Sequence, residues 1–179
     1  MVQKIVTFGA DALRRKAHPV VEISPQIQQL VQDMLESMHA ARGVGLAAEQ
    51  IGREEAVCVV DVPRDAERED CVAANAAVAM PLVMLNPEIV SQTGKQRSEE
   101  GCLSFPDISI PITRAMQVTA AYTDLEGQRH EITVQGLLSR AVQHEIDHLN
   151  AVLLVDRMSA MQRLSVAGQL KRLRRRATG

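Results

Sequence analysis

Along the chain the apolar positions follow two rhythms. Ile27, Leu30, Val31, Met34 and Met38 recur every three or four residues, the spacing of one helix face, which predicts an amphipathic helix. Ser24 and Pro25 stand where a cap and first turn belong, and Gly43 is expected to close the helix. Leu138, Val142, Ile146 and Leu149 repeat at intervals of four, four and three, which predicts a second, core-packed helix. Between these, the runs 56–62, 82–90, 117–124 and 130–134 read as strands, the last two joined across Leu125, Glu126, Gly127 and Gln128 as a hairpin. A final helix is expected over about 159–176, opened by Ser159 and Gln162 as a capping box. This order indicates an α+β fold, with antiparallel strands packed around a central helix and a C-terminal helix.

Composition narrows the picture. With 179 residues and 46% hydrophobic content the chain can bury a sizeable core, so residues 1–179 are expected to form a single catalytic domain. Aromatic residues are only 2%, and the core must therefore be aliphatic. No apolar run reaches eighteen residues and the N-terminus lacks a signal peptide's apolar region, which excludes a membrane protein and predicts a cytoplasmic location. Three irregularly spaced cysteines argue against a disulfide framework and for a reducing compartment.

The second helix carries the chemistry. In QHEIDHL, residues 143–149, His144 and His148 stand four apart and share a helix face, with Glu145 beside the first. Two imidazoles so placed can chelate one divalent metal while the carboxylate leans over the open side, the minimum for metal-assisted hydrolysis. Asp147 points elsewhere on the helix and is assigned a surface or supporting role. A catalytic zinc-type site has three protein ligands. Beyond His148 the chain has no Glu, Cys or His, and Leu154 and Ala151 stand where a metzincin needs His and Gly. The third ligand must come from Cys58, Cys71, Cys102, His18, His39, His130 or a carboxylate upstream. Cys102 is the best of these, because in EEGCLSFPD a Gly and a nearby Pro break regular structure and can hold a thiolate at a fixed angle. Cys58 falls in a strand-like run, where free Cys usually acts as a small hydrophobe, and Cys71 falls in an alanine-rich stretch read as loop.

Three blocks, GVGLAAEQIG at 43–52, EGCLS at 100–104 and QHEIDHL at 143–149, occur in the order found in peptide deformylases, and the chain resembles that family over nearly its whole length. These metallohydrolases remove the formyl group from the N-terminal formyl-methionine of nascent polypeptides and release formate. The resemblance implies that Cys102, His144 and His148 hold one divalent ion, Fe(II) in cells with Zn, Ni or Co as substitutes. It makes Glu145 the proton shuttle, and the Gln50 amide and the Leu103 backbone N–H the oxyanion donors. Gly45 would offer backbone to an extended peptide, Glu100 would brace the site ahead of Gly101, and Arg114 would touch substrate. Val44, Leu137 and Ala141 are candidates for the methionine pocket. Two other functions share parts of this pattern: an HExxH metallopeptidase cleaving internal peptide bonds, and a non-enzymatic metal-stabilised interaction protein.

The chain departs from the family's pattern at Ala151, where glycine is usual and would suit a left-handed backbone, and in segment 65–80, read as a variable surface loop. Charge adds a last expectation. After Asp156 come seven basic residues and no acid, against thirteen basic and twenty-two acidic residues up to that point. That excess fits either a solvated helix end, where cations also favour the C-terminal dipole, or a basic C-terminal helix that docks on ribosomal RNA near the nascent-chain exit, as the resemblance implies.

Overall fold

The structure, a computed structural model, describes residues 1–177; Thr178 and Gly179 lie outside the described residues. In chain order its elements are α1 (Pro25–Ala40), β1 (Gly45–Ala47), β2 (Val57–Val60), α2 (Glu69–Ala74), β3 (Leu82–Thr93), β4 (Gln96–Gly101), β5 (Ser109–Arg114), β6 (Gln117–Thr123), β7 (Arg129–Gln135), α3 (Gly136–Leu149), α4 (Leu154–Arg157), α5 (Ala160–Ser165) and α6 (Ala167–Ala177). Five strands form an antiparallel sheet in the order β1-β2-β3-β6-β7, and β4 pairs with β5 in a separate ribbon. Strands on 57–60, 82–93, 117–123 and 129–135 agree with the four apolar runs. The expected α+β architecture is present.

The period of two in a strand explains how one sheet serves two helices. In β2, Val57 and Val59 join Ile27, Leu30, Met34 and Met38 of α1 in one cluster. Cys58 and Val60 point the other way and join Leu138, Val142, Ile146 and Leu149 of α3. The run is apolar without alternation because both of its faces are covered. A third cluster holds the β4–β5 ribbon against the C-terminal helices through Ile110, Ile112, Phe105, Leu154 and Leu173.

Several local expectations are corrected. The Ser24 side chain makes no capping bond; its carbonyl accepts from Ile27 N at 3.0 Å instead. The left-handed residue that ends α1 is Arg42, φ 55°, and Gly43 follows it, donating to Met38 O at 2.9 Å. A Cβ on Gly43 would press on the methyl end of the Leu103 side chain. Segment 65–80 is not a simple surface loop. It contains α2, with Cys71 fully buried, and Glu67 accepts a bond from Leu138 N at 2.8 Å while Asn75 bonds both backbone groups of Gln135. The segment thus caps α3, whose own N-cap, Gln135, offers no side-chain bond. The helix expected over 159–176 is two helices broken at Val166, although Ser159 and Gln162 do form the reciprocal capping pair.

Ala151 occupies the left-handed position that follows α3, φ 59°, with Val152 N bonded to Asp147 O and Ala151 N to His148 O, both at 2.9 Å. This is a Schellman termination with a Cβ where glycine is favoured. Ala151→Gly is expected to stabilise the protein by about 1 kcal/mol, a rise in Tm of roughly 2–4 °C, with kcat unchanged. Thermal unfolding checks this; a lower Tm would contradict the strain at Ala151.

Candidate metal centre

Helix α3 forms where it does because its apolar stripe packs on the sheet, and this packing turns His144, Glu145 and His148 toward β1 and the end of β4. Cys102 follows β4 directly, as the ribbon ends at Gly101. The donor atoms of Cys102, His144 and His148 lie within 4.8 Å of one another, with Cys102 Sγ 3.3 Å from His148 Nε2. One thiolate and two imidazoles converging at that spacing suit a single transition metal. His18, His39, His130, Cys58 and Cys71 are not in this group. His148 Nδ1 and Glu145 Oε2 are buried without a hydrogen-bond partner.

Each polar neighbour has a traceable anchor. Gln50 sits in the 3-10 turn Ala48–Ile51 after β1, and its Oε1 accepts from Ala47 N at 2.9 Å. That bond fixes the amide so that Nε2 donates toward Cys102 Sγ at 3.6 Å and Ser104 Oγ at 3.2 Å. Glu100 accepts from Arg114 Nε and Nη2 at 2.8 and 2.6 Å, from Arg140 Nη1 at 2.6 Å and from His144 Nδ1 at 2.7 Å. The last bond leaves His144 Nε2 as its free ligand atom.

Electrostatics follow from this burial. Desolvation would raise Glu100, but Arg114 and His144 outweigh it and hold the carboxyl far below the usual range. Burial works against a charged His144, yet Cys102 and Glu100 keep its pKa well above the ordinary imidazole value. Burial and the neighbouring His144 push His148 well below it. Burial raises Glu145 to about 7, where a carboxyl can both accept and release a proton near neutrality.

A cleft of about 720 Å³ opens over these residues. Val44, Gly45, Gln50, Leu103, Leu137, Ala141 and Glu145 line it, as do Glu100 and Gly101. Arg114 does not: its side chain is 3% exposed, bonded to Glu100 and Asp147 behind His144. The expectation that Arg114 touches substrate is therefore corrected, because every guanidinium nitrogen faces the carboxylate of Glu100 or Asp147, or His144. Sequence reasoning also missed Arg140, Ser104 and Arg42, the last at the cleft's rim. Ser104 was visible as the end of the EGCLS block, whereas Arg140 carried no signal apart from its place one turn before His144.

Gly45 has a steric reason to be glycine, since a Cβ there would overlap the Glu145 carboxylate. Gly45→Ala is expected to displace Glu145 and lower kcat about 100-fold. Steady-state kinetics decide it, and wild-type turnover would show that Glu145 does not need this position.

Glu49 was not singled out by any sequence pattern. It is 1% exposed with both carboxylate oxygens unpartnered, and burial pushes it up from 4.5 to about 8. Between those values the folded chain holds a proton that the unfolded chain releases, so stability falls as pH rises through that window and levels off above it. By pH 7 the loss is about 3 kcal/mol. Glu49→Gln, which mimics the protonated acid, is expected to remove this part of the slope. Urea unfolding between about pH 5 and 8 measures it, and a slope identical to wild type would assign the titration elsewhere.

Compared with known proteins, residues 2–164 match the family model described as polypeptide deformylase. A peptide deformylase of Nitrosococcus oceani is 40% identical over 174 residues, 97% of this chain and 97% of that protein. One of Endomicrobium trichonymphae is 44% identical over 169 residues, 94% of each. The crystal structure of a peptide deformylase from Legionella pneumophila superposes with a TM-score of 0.84 at 37% identity, covering 99% of this chain and 98% of that one.

Proposed function

The chain belongs to the polypeptide deformylase family, and we propose that Cys102, His144 and His148 hold its metal while Glu145 moves the proton of the reaction. The protein is a hydrolase that removes the N-formyl group from nascent polypeptides. The observation that carries the site assignment is the buried, unpartnered Oε2 of Glu145 beside three convergent ligand atoms. A divalent ion there, when bound, acts as a Lewis acid and brings the pKa of a water toward neutrality.

The chain's own groups account for the remaining steps. Glu145 takes a proton from the attacking water and passes it to the departing amine, which a carboxyl with a pKa of about 7 can do in both directions. Gln50 Nε2, held by the Ala47 contact, donates to the developing oxyanion together with the Leu103 backbone N–H. Glu100 fixes the tautomer of His144. Gly45, on the edge strand β1 and in the cleft lining, offers its backbone to an extended peptide, and Val44, Leu137 and Ala141 receive the methionine side chain. Gly101 and Glu100 also line the cleft. Residues 1–179 act as one catalytic domain, supported by the donation of site residues from β1, β4 and α3. The test is hydrolysis of a formyl-methionyl peptide with formate release, compared with unformylated peptides. Cleavage of internal bonds instead would favour the metallopeptidase reading.

A thiolate with two imidazoles accommodates Fe(II), Zn, Ni or Co, and we propose Fe(II) in cells on the family resemblance. Metal analysis of anaerobically purified protein tests this, and the iron form should lose activity in air faster than a nickel form. Equal air stability of the two forms would contradict the iron assignment. Among the described residues no helix is long and apolar enough to cross a membrane, and a cytoplasmic location suits a substrate emerging from the ribosome.

Docking on ribosomal RNA is supported by exposed Lys171, Arg172 and Arg176 on α6. Leu173 of the same helix is buried and Arg174 stacks over Phe8 at 4.9 Å. Removing residues 171–179 would thus damage the core, so the appropriate variant is Lys171→Gln, Arg172→Gln, Arg176→Gln. It should lose salt-sensitive co-sedimentation with ribosomes while still hydrolysing a short peptide. Retained binding would refute the docking role.

A further inference from the structure

Behind the metal centre, a chain of ion pairs runs from the surface to a ligand. Arg157, the last residue of α4, is 47% exposed in its side chain and donates from Nε and Nη2 to Asp147 at 2.9 and 2.5 Å. Asp147 Oδ2 also accepts from Arg114 Nη1 at 2.8 Å. The remaining fork of Arg114 holds Glu100, and Glu100 Oε1 accepts from His144 Nδ1 at 2.7 Å. Exposure drops from Arg157 to 14% at Asp147 and stays at 3% and 5% at Arg114 and Glu100. We propose that Arg157 and Asp147 are positioning residues that hold the orientation of His144 toward the metal through Arg114 and Glu100. This rests on the metal site assigned above.

The geometry gives Arg157 a task beyond that of a surface ion pair. Asp147 borders an open groove of about 430 Å³ on the side of α3 away from the cleft, lined also by Lys95, Gln92 and Gln143. Without Arg157 its carboxylate has a solvated alternative in that groove, whose lining also carries the Lys95 cation. Arg114 would then lose the anchor on Nη1 that sets the plane of its guanidinium. Since that plane fixes both bonds to Glu100, the acceptor for His144 Nδ1 would shift with it. A planar fork transmits orientation in a way that a point charge does not. Groups that orient a metal-bound imidazole affect metal affinity as well as catalysis.

The experiment uses the full-length enzyme loaded with Zn(II) and follows release of the metal to a chromophoric chelator. Co(II)-loaded enzyme reports ligand geometry through its absorption, and the Tm of the metal-free chain reports folding. Arg157→Gln is expected to release zinc about 5- to 10-fold faster, below or at the low end for groups bonded directly to a ligand. Its Co(II) spectrum should shift, kcat should fall with KM nearly constant, and the metal-free Tm should stay within error. Arg157→Lys, which keeps the charge without the fork, should fall between Gln and wild type. Arg157→Gln combined with Asp147→Asn should release zinc no faster than Asp147→Asn alone. Wild-type release and spectrum in Arg157→Gln, or multiplicative effects in the double variant, would overturn the relay while leaving the metal site intact. A wild-type chain that holds no zinc would overturn the metal site and the relay together.

Discussion

Glu145→Gln is expected to lower kcat by roughly 10²- to 10⁴-fold, the contribution typical of a positioned acid–base group, while the protein still binds its metal. The amide has the shape of the carboxyl, so the packing under β1 is preserved, and Cys102, His144 and His148 are untouched. What is lost is the ability to take a proton from water and return it to the amine. The wild-type carboxyl is suited to this because burial holds it at about 7 and Oε2 has no protein partner to compete with water. KM should change little, since the peptide's apolar and backbone contacts remain. Metal analysis alongside steady-state kinetics distinguishes loss of proton transfer from loss of metal. A variant with full metal and near-normal kcat would remove Glu145 from the mechanism.

Glu100→Gln should produce the largest fall in stability, about 3–5 kcal/mol at neutral pH. The side chain is 5% exposed and accepts from two arginines and a histidine. A neutral amide leaves Arg114 and Arg140 buried with only Asp147 as a counter-charge, and it turns one donor-bearing end toward guanidinium N–H groups. The cost should shrink in acid. Because the folded carboxyl titrates far below its ordinary 4.5, its stabilisation is complete above that value and is lost as pH falls toward the folded pKa. The Nδ1 acceptor of His144 also loses its charge, and the one amide oxygen cannot serve every donor that the carboxylate serves, so metal affinity should drop by about 10- to 100-fold. Denaturant unfolding at two pH values and a chelator competition measure both effects. Wild-type stability at neutral pH would mean that the two arginines find other partners, and the network would then have to be redrawn.

Much of this protein could be read locally. The stripe Leu138, Val142, Ile146 and Leu149 is a property of helical periodicity, and burying it necessarily turns His144 and His148 to a common face. The strand at Val57–Val60 announces itself by a β-branched apolar run, because a strand covered on both faces needs no polar alternation, and the apolar start Leu82–Leu85 marks β3. The capping pair of Ser159 and Gln162 is equally local. Cys102 was favoured by the Gly and Pro around it, and the three ordered blocks carried the family.

Other features depend on residues that are distant in sequence. β4, QRSEEG, has no apolar rhythm and is a strand only because β5 pairs with it, Glu100 opposite Ile110. Segment 65–80 looks like a loop until Glu67 reaches the N–H of Leu138, 71 residues away, and caps the metal helix. Arg114 and Glu100 could have been a surface pair, and only packing against α3 decides that they are buried behind His144. The break at Val166 is likewise not written in the propensities on either side of it. Periodicity and capping are determined within a turn or a strand, so the sequence alone specified α1, α3, most of the five-stranded sheet and the spacing of the two metal histidines. Desolvation and long-range hydrogen bonding exist only once the elements are packed. For that reason the tertiary structure alone decided the proton affinity of Glu145, the burial of Glu49 and the orientation of the imidazoles.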